Sequence, residues 1–97
     1  MPKTPIELRI TSNRAKVFMY VKTYKGNQGY LEQYPTEKDY YWGVILEPHQ
    51  NSKILKINTH DKHYCDDCRY LVMLKTENIG ARVEFLGLIK SALSFVD

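Results

Sequence analysis

The sequence predicts an all-β protein, an antiparallel β-sandwich of jelly-roll-like form with about six to eight short strands. Three observations predict it. Hydrophobic residues at 43% and charged residues at 26% are close to the globular average. Tyrosine supplies eight of the aromatic residues, and aromatic residues favour pleated, half-buried surfaces. Several short segments alternate apolar and polar residues, whereas none has the length and 3.6-residue period of a helix.

A chain of 97 residues holds one hydrophobic core, so residues 1–97 are predicted to form a single domain with its core within 6–89. No window approaches the roughly 18 uninterrupted apolar residues of a membrane span. The opening MPKTPIELRI lacks the apolar stretch of a signal peptide. The sequence as given is therefore expected to be soluble and without an export signal.

The predicted strands are recognised in chain order by alternation and by turn residues at their ends. The first alternates strictly after Pro5, and the second is apolar on both faces, as expected inside a sandwich. The third is aromatic and β-branched and stops at Glu47-Pro48, and the last three alternate again. The predicted strands are 6–11, 15–24, 41–46, 53–58, 70–75 and 83–89.

The segments between the strands carry turn signals. Residues 25–29 contain two glycines and an asparagine, and 30–40 is predicted to be a long connection with room for one short strand. Asn78-Ile79-Gly80 suits a short hairpin between the last two strands, because Asn and Gly tolerate a positive φ. Residues 91–97 are expected to be a short helix or a tail.

The net charge of +3 is concentrated at the start of the chain, where residues 1–30 hold six basic residues and one acidic residue. These basic residues mostly alternate with apolar ones, which places them on the solvated faces of strands. The sequence has no aromatic motif of an RNA-binding sheet and no recognition helix. Nucleic acid is therefore not an expected partner.

The only two cysteines, Cys65 and Cys68, lie in a polar stretch rich in Asp and His. A helix does not follow them, which argues against a thioredoxin-like redox pair. A local disulfide that pins this turn is favoured, conditional on an oxidising compartment. Two reduced structural thiols and a zinc site stay open as alternatives. The zinc alternative has its ligands crowded into nine residues: His60, His63, Cys65 and Cys68.

The same stretch offers other candidates of lower rank. A calcium site from Asp61, Asp66 and Asp67 is an alternative to a solvated turn, since calcium prefers oxygen ligands. The histidines lack an activated nucleophile beside them, so catalysis is not predicted. No metal site is favoured and no cofactor is expected.

Several motifs follow one another along the chain: IELRIT, AKVFMYVKTY, Pro35-Thr36 leading to Tyr40 and Trp42, ILKIN, and Asp61-x-x-Tyr64-Cys65-x-x-Cys68. Their order resembles the pre-peptidase C-terminal domain, in its eukaryotic form with Cys-x-x-Cys. The resemblance covers residues 6–76, and 81–89 fits a closing strand. The chain departs from the pattern at Ala15-Lys16, where many members carry acidic residues.

The resemblance implies a jelly-roll-like, non-catalytic module of a larger secreted or cell-surface protein, with neighbouring domains in the same chain. It implies a binding or spacer role with a carbohydrate or protein ligand. The candidate ligand-binding residues are Tyr40, Tyr41 and Trp42, although a single Trp among strands is more often a core residue. A different hypothesis is an intracellular C2-like sandwich that docks on anionic membranes or on a protein partner, through Lys16, Lys22 and Lys25.

Overall fold

The computed structural model describes residues 4–26, 29–77, 80 and 82–89. Within them the regular structure is almost entirely β, and a single 3-10 turn at Tyr30–Gln33 supplies the helical part. The strands, in chain order, are β1 (Ile6–Ser12), β2 (Val17–Tyr24), β3 (Trp42–Leu46), β4 (Ser52–Ile57), β5 (Arg69–Thr76) and β6 (Val83–Ile89). The prediction of a small all-β sandwich is confirmed.

The six strands form two three-stranded antiparallel sheets. Sheet A has the order β4-β1-β6, and sheet B has the order β3-β2-β5. Consecutive strands along the chain therefore alternate between the sheets more often than they pair. In the described part, no helix is both long and apolar enough to cross a membrane.

The central strands β1 and β2 supply most of the core, because each buries every second residue. Their inward side chains meet between the sheets and are joined there by one residue each from β3 and β4 and by Ala15. The core residues are Ile6, Leu8, Ile10, Ala15, Val17, Met19, Val21, Leu46 and Ile57. Ser12 continues the inward series of β1, and its buried hydroxyl donates to the Arg82 carbonyl at 2.8 Å.

The long connection between β2 and β3 returns across the outer face of sheet B. Asp39 accepts a hydrogen bond from Lys22 at 2.6 Å, and the ring of Tyr40 contacts that of Tyr20, both partners on the outer side of β2. Leu71 pairs with Lys22 and so faces the same way, yet it is only 4% exposed. The connection therefore covers part of the outer face of sheet B as well as linking β2 to β3.

The strand registers place several loops at one end of the sandwich, which we call the loop end. Ile6 at the start of β1 pairs with Ile57 at the end of β4, and Tyr24 at the end of β2 pairs with Arg69 at the start of β5. The segments 29–41 and 58–68 therefore lie at the same end. Their proximity builds the site described below.

The long connection predicted over 30–40 is present, whereas the predicted hairpin between the last two strands is wrong. The segment 30–40 contains the 3-10 turn and an isolated bridge between Thr36 and Asp39, with no strand. The last two strands do not form a hairpin, because β5 pairs with β2 and β6 pairs with β1 in the other sheet. Gly80 has the positive φ of 78° expected of that turn, while Asn78, Ile79 and 91–97 lie outside the described residues.

The substitution Leu8→Ala tests the core. Leu8 is fully buried at the centre of β1, so its truncation should lower the free energy of unfolding by about 2–5 kcal/mol, measured by urea denaturation. Leu86→Ala is the matched control, because Leu86 lies on β6 and is 49% exposed. The control should change stability by less than about 0.5 kcal/mol. Equal losses in the two variants would contradict the burial described here.

Candidate functional site

The loop end gathers aromatic, acidic and cysteine side chains from separate parts of the chain. Trp42 begins β3 and Tyr70 lies at the start of β5, and their rings stack with centroids 6.0 Å apart. The segment 58–68 folds over them through tight turns, with backbone hydrogen bonds from Asp61 to Asn58 and from Tyr64 to Asp61. The polar stretch is therefore an ordered cap on the sandwich.

Asp61 is the polar centre of this cap. One carboxylate oxygen accepts a hydrogen bond from the Trp42 indole at 3.0 Å, and the other accepts from the His63 backbone at 3.1 Å. The hydrogen bond from Trp42, followed by that from the His63 backbone, lowers the pKa of Asp61 below its ordinary value. Asp61 therefore stays ionised and holds the indole and the turn together.

The imidazole ring of His63 packs against two aromatic side chains. Its ring stacks on Tyr41 with centroids 3.8 Å apart and planes 8° from parallel, and it meets the edge of Trp42 at 6.1 Å. The Lys22 ammonium lies 5.8 Å from the centre of the Tyr41 ring. Tyr41 is consequently fixed between the cap and the outer face of sheet B.

The hydroxyls of two half-buried tyrosines, Tyr64 and Tyr70, tie the cap to other parts of the chain. The Tyr70 hydroxyl accepts from the Cys65 backbone N–H at 3.0 Å and donates to the Cys65 carbonyl at 2.9 Å. Burial raises the pKa of Tyr70, so the hydroxyl stays protonated and able to donate. The Tyr64 hydroxyl makes the same kind of paired contact with the backbone of Thr4, donating at 2.7 Å and accepting at 3.1 Å.

Cys65 and Cys68 are both free thiols in this structure, so the predicted disulfide is not formed in it. The Cys65 thiol donates to Asp67 at 3.1 Å. Burial, followed by a hydrogen bond with Cys65, raises the pKa of Cys68. A protonated thiol is a poor nucleophile, so Cys68 is not set up as a reactive residue. The pair is nevertheless close enough for its two side chains to interact.

The two alternative metal sites are not assembled. Among the described residues, no group of three or more His, Cys, Asp or Glu side chains is placed to hold a metal ion. Of the zinc candidates, His63 stacks on Tyr41 and the Cys65 thiol donates to Asp67, while His60 is exposed. Of the calcium candidates, Asp61 binds Trp42 and Asp67 faces Cys65 and Lys25, while Asp66 is exposed.

Beside the cap, the outer face of sheet B carries a line of rings, Phe18, Tyr20 and Tyr40, which we call the aromatic row. Phe18 and Tyr20 are nearly parallel with centroids 6.3 Å apart, and Tyr20 meets Tyr40 at 5.0 Å and 44°. Tyr40 lies on the backbone of Gly43, where an added Cβ would come within 2.9 Å of its ring. Tyr40 is also 45% exposed, so this ring is accessible to solvent although it contacts Gly43 and Tyr20.

The lysines around the aromatic row are paired with carboxylates. Lys22 binds Asp39 at 2.6 Å, and Lys75 binds Glu37 at 3.0 Å. The bond to Glu37 raises the pKa of Lys75, so this lysine remains charged. At the far end of the row, Lys16 lies 5.5 Å from the Phe18 ring centre and 3.9 Å from Glu47. The face therefore presents ring surface bordered by charge pairs of opposite sign.

The predicted ligand-binding residues divide into two kinds. Tyr40 and Tyr41 are 45% and 38% exposed, whereas Trp42 is half-buried and packs against the core. Sequence reasoning missed Phe18 and Tyr20 as site residues. Their positions two apart on β2, both opposite the inward Val17 and Met19, are the signal that could have found them.

The fold and site define a small six-stranded β-sandwich with an aromatic outer face and a capped loop end. No family model, curated protein or solved structure matches the chain.

Tyr70→Phe tests the anchoring of the cap. Loss of the hydroxyl leaves the Cys65 N–H and carbonyl without their partner, so the free energy of unfolding should fall by about 1–3 kcal/mol. A loss of 1 kcal/mol corresponds to roughly 4–8 °C in the melting temperature of a domain of this size. Tyr40→Phe removes the same atom from an exposed ring and should shift the melting temperature far less. If the Tyr70→Phe variant were as stable as the wild type, the Tyr70 hydroxyl would not anchor the cap.

Proposed function

We propose that the protein is a non-catalytic binding module of a larger secreted or cell-surface protein and that it contacts its ligand through the aromatic row. The single observation that carries this proposal is the placement of Tyr40. Its ring contacts Gly43 and lies beside Tyr20, yet the residue is largely exposed to solvent. Exposed rings fixed against a rigid sheet are suited to binding, since little side-chain freedom is lost when a ligand stacks on them.

The proposal of a binding role over catalysis rests on the condition of the polar residues. Asp61, His63 and Tyr70 are each engaged in holding the cap, and burial keeps the Cys68 thiol protonated. The resemblance to the pre-peptidase C-terminal domain supports the same conclusion and motivates the extracellular location.

The membrane-docking alternative is weakened by the partners of its lysines. Docking on anionic lipid needs basic residues whose charge is not cancelled nearby. Lys16, Lys22 and Lys25 are paired with Glu47, Asp39 and Asp67 at 3.9, 2.6 and 3.5 Å. The pairs at Lys16 and Lys25 are exposed and contribute little to stability, yet each carboxylate still reduces the local positive potential.

Retention on immobilised polymers tests the binding role. The wild-type protein should be retained on at least one of cellulose, chitin or collagen particles in a depletion assay. Tyr40→Ala should weaken that retention about tenfold, as expected for the loss of about 1.4 kcal/mol when a stacked ring is removed. Leu86→Ala, an equally exposed apolar residue on sheet A, is the control and should bind as the wild type does.

Two outcomes would count against this role. Failure of the wild type to bind any of the three polymers would contradict the proposed function. If Tyr40→Ala and Leu86→Ala weakened retention equally, binding would not depend on the aromatic row. Melting temperatures of both variants show whether a loss of binding comes from a loss of structure.

The extracellular location makes a separate prediction about the cysteines. Protein purified from an oxidising secretory compartment should have Cys65 joined to Cys68, seen as an intact mass lower by two hydrogens without reduction. Because the bridge closes a very short loop, reduction should destabilise the protein only by about 1–2 kcal/mol. Two free thiols in the secreted protein would contradict the disulfide and remove its support for this location.

A further inference from the structure

We infer that two copies of this chain associate through the outer edges of their β6 strands, which pair antiparallel about a two-fold axis. This surface belongs to sheet A, so the inference does not depend on the aromatic row or on the proposed function. It is carried by the composition of β6 compared with the other edge strands, by the opening of the sandwich beside β6, and by the fit of a second β6 to the first.

The first argument is the composition of the edge strands, which are β3, β4, β5 and β6. An edge strand presents backbone N–H and C=O groups that another extended strand can pair, and charged residues discourage such pairing, above all when they face inward. On β4, Lys53 faces inward because it pairs with the fully buried Ile10, and β5 carries Arg69 and Lys75. β3 approaches β4 at the closed side of the sandwich. By contrast β6, with the sequence VEFLGLI, has Glu84 as its one charged residue.

The second argument is the opening of the sandwich along β6, which among the described strands pairs with β1 alone. Along β3 and β4 the inward residues Leu46 and Ile57 are fully buried. Leu74 on β5 and Phe85 on β6 also pair with fully buried residues of the central strands and so face inward, yet they are 37% and 38% exposed. A strand added at the edge of β6 extends sheet A over this opening and removes apolar surface of Phe85 from water.

The third argument is that a second β6 fits this edge. Antiparallel pairing about a two-fold axis uses the same strand from both copies, and Leu86 is the midpoint of Val83–Ile89, so an axis at Leu86 pairs all seven residues. Leu86, 49% exposed on the outer face, then lies opposite its own copy. Phe85 lies opposite Gly87 of the second copy on the inner face, where an aromatic ring covers the bare backbone of a strand glycine. The two Glu84 residues fall on opposite sides of the axis, so like charges do not face each other.

The test begins with self-association of the full chain. One pair of edge strands buries less than the roughly 1,200 Å² of a stable interface, so the dimer should be weak and form above about 10 µM. Sedimentation velocity between about 1 and 500 µM should therefore show a shift from monomer to dimer. Measurements at low concentration report on the monomer, so Leu86→Ala keeps its use as a control in them.

A pair of matched variants locates the interface. Leu86→Lys puts like charges directly opposite each other at the axis and should weaken self-association at least about tenfold. Ile54→Lys is the control, because Ile54 and Leu86 both pair with Arg9 on the outer face and are 47% and 49% exposed, but Ile54 lies on the far edge strand β4. The control should associate as the wild type does. Circular dichroism and melting temperatures at low concentration show whether both variants are folded.

Crosslinking tests the register. Opposite residues of an antiparallel pair have Cα atoms about 4.5–5.5 Å apart, within the range of a disulfide. In a background of Cys65→Ser with Cys68→Ser, oxidation of Leu86→Cys by diamide should therefore give a covalent dimer, and Ile54→Cys should stay monomeric under the same treatment.

Three results would each overturn the inference. One is a wild-type chain that stays monomeric at the highest concentration. Another is self-association that Ile54→Lys weakens as much as Leu86→Lys does. The third is equal crosslinking of Leu86→Cys and Ile54→Cys. Retention of a strictly monomeric wild type on the polymers would leave the proposed function intact.

Discussion

The fold depends on the packing of two central strands against each other. β1 and β2 each present an uninterrupted series of inward apolar side chains, and these series fill the space between the sheets. Each strand has a partner on both edges, so its backbone groups are paired on both sides. The outer strands can then be half-exposed, as Leu74 and Phe85 at 37% and 38% illustrate. The two faces of sheet B consequently have different tasks.

The inner face of sheet B closes the core, and its outer face holds the aromatic row in a fixed position. Gly43 makes this arrangement possible. Because it has no side chain, the Tyr40 ring fits beside Tyr20 while β3 remains paired with β2. The connection that carries Tyr40 is itself tied down by Asp39 on Lys22 and by the Tyr41 amide on the Val21 carbonyl. The aromatic row is therefore held in place both by the sheet beneath it and by the connection that carries Tyr40.

The cap at the loop end shows how a polar segment becomes ordered. Asp61, Tyr64 and Tyr70 satisfy backbone groups and the Trp42 indole, so hydrogen bonds to distant parts of the chain order this turn. A short bridge between Cys65 and Cys68 would add only modest stability to a loop that is already held. The cysteines are thus more informative about compartment than about the fold.

Alternation along the chain was enough to determine the fold class, the six strands and the inward residues of β1, because period two follows from strand geometry alone. It did not determine the inward face of β2, where both faces are apolar. The sequence also identified Tyr40 and Tyr41 as candidate ligand-binding residues. Strand partners were not: β5 and β6 are neighbours along the chain, yet they join different sheets, since pairing depends on how the inward faces pack. Only the tertiary structure placed Tyr40 on Gly43 beside Tyr20, paired the lysines with Asp39 and Glu37, and gave Asp61 and His63 structural partners, because these contacts join residues far apart along the chain.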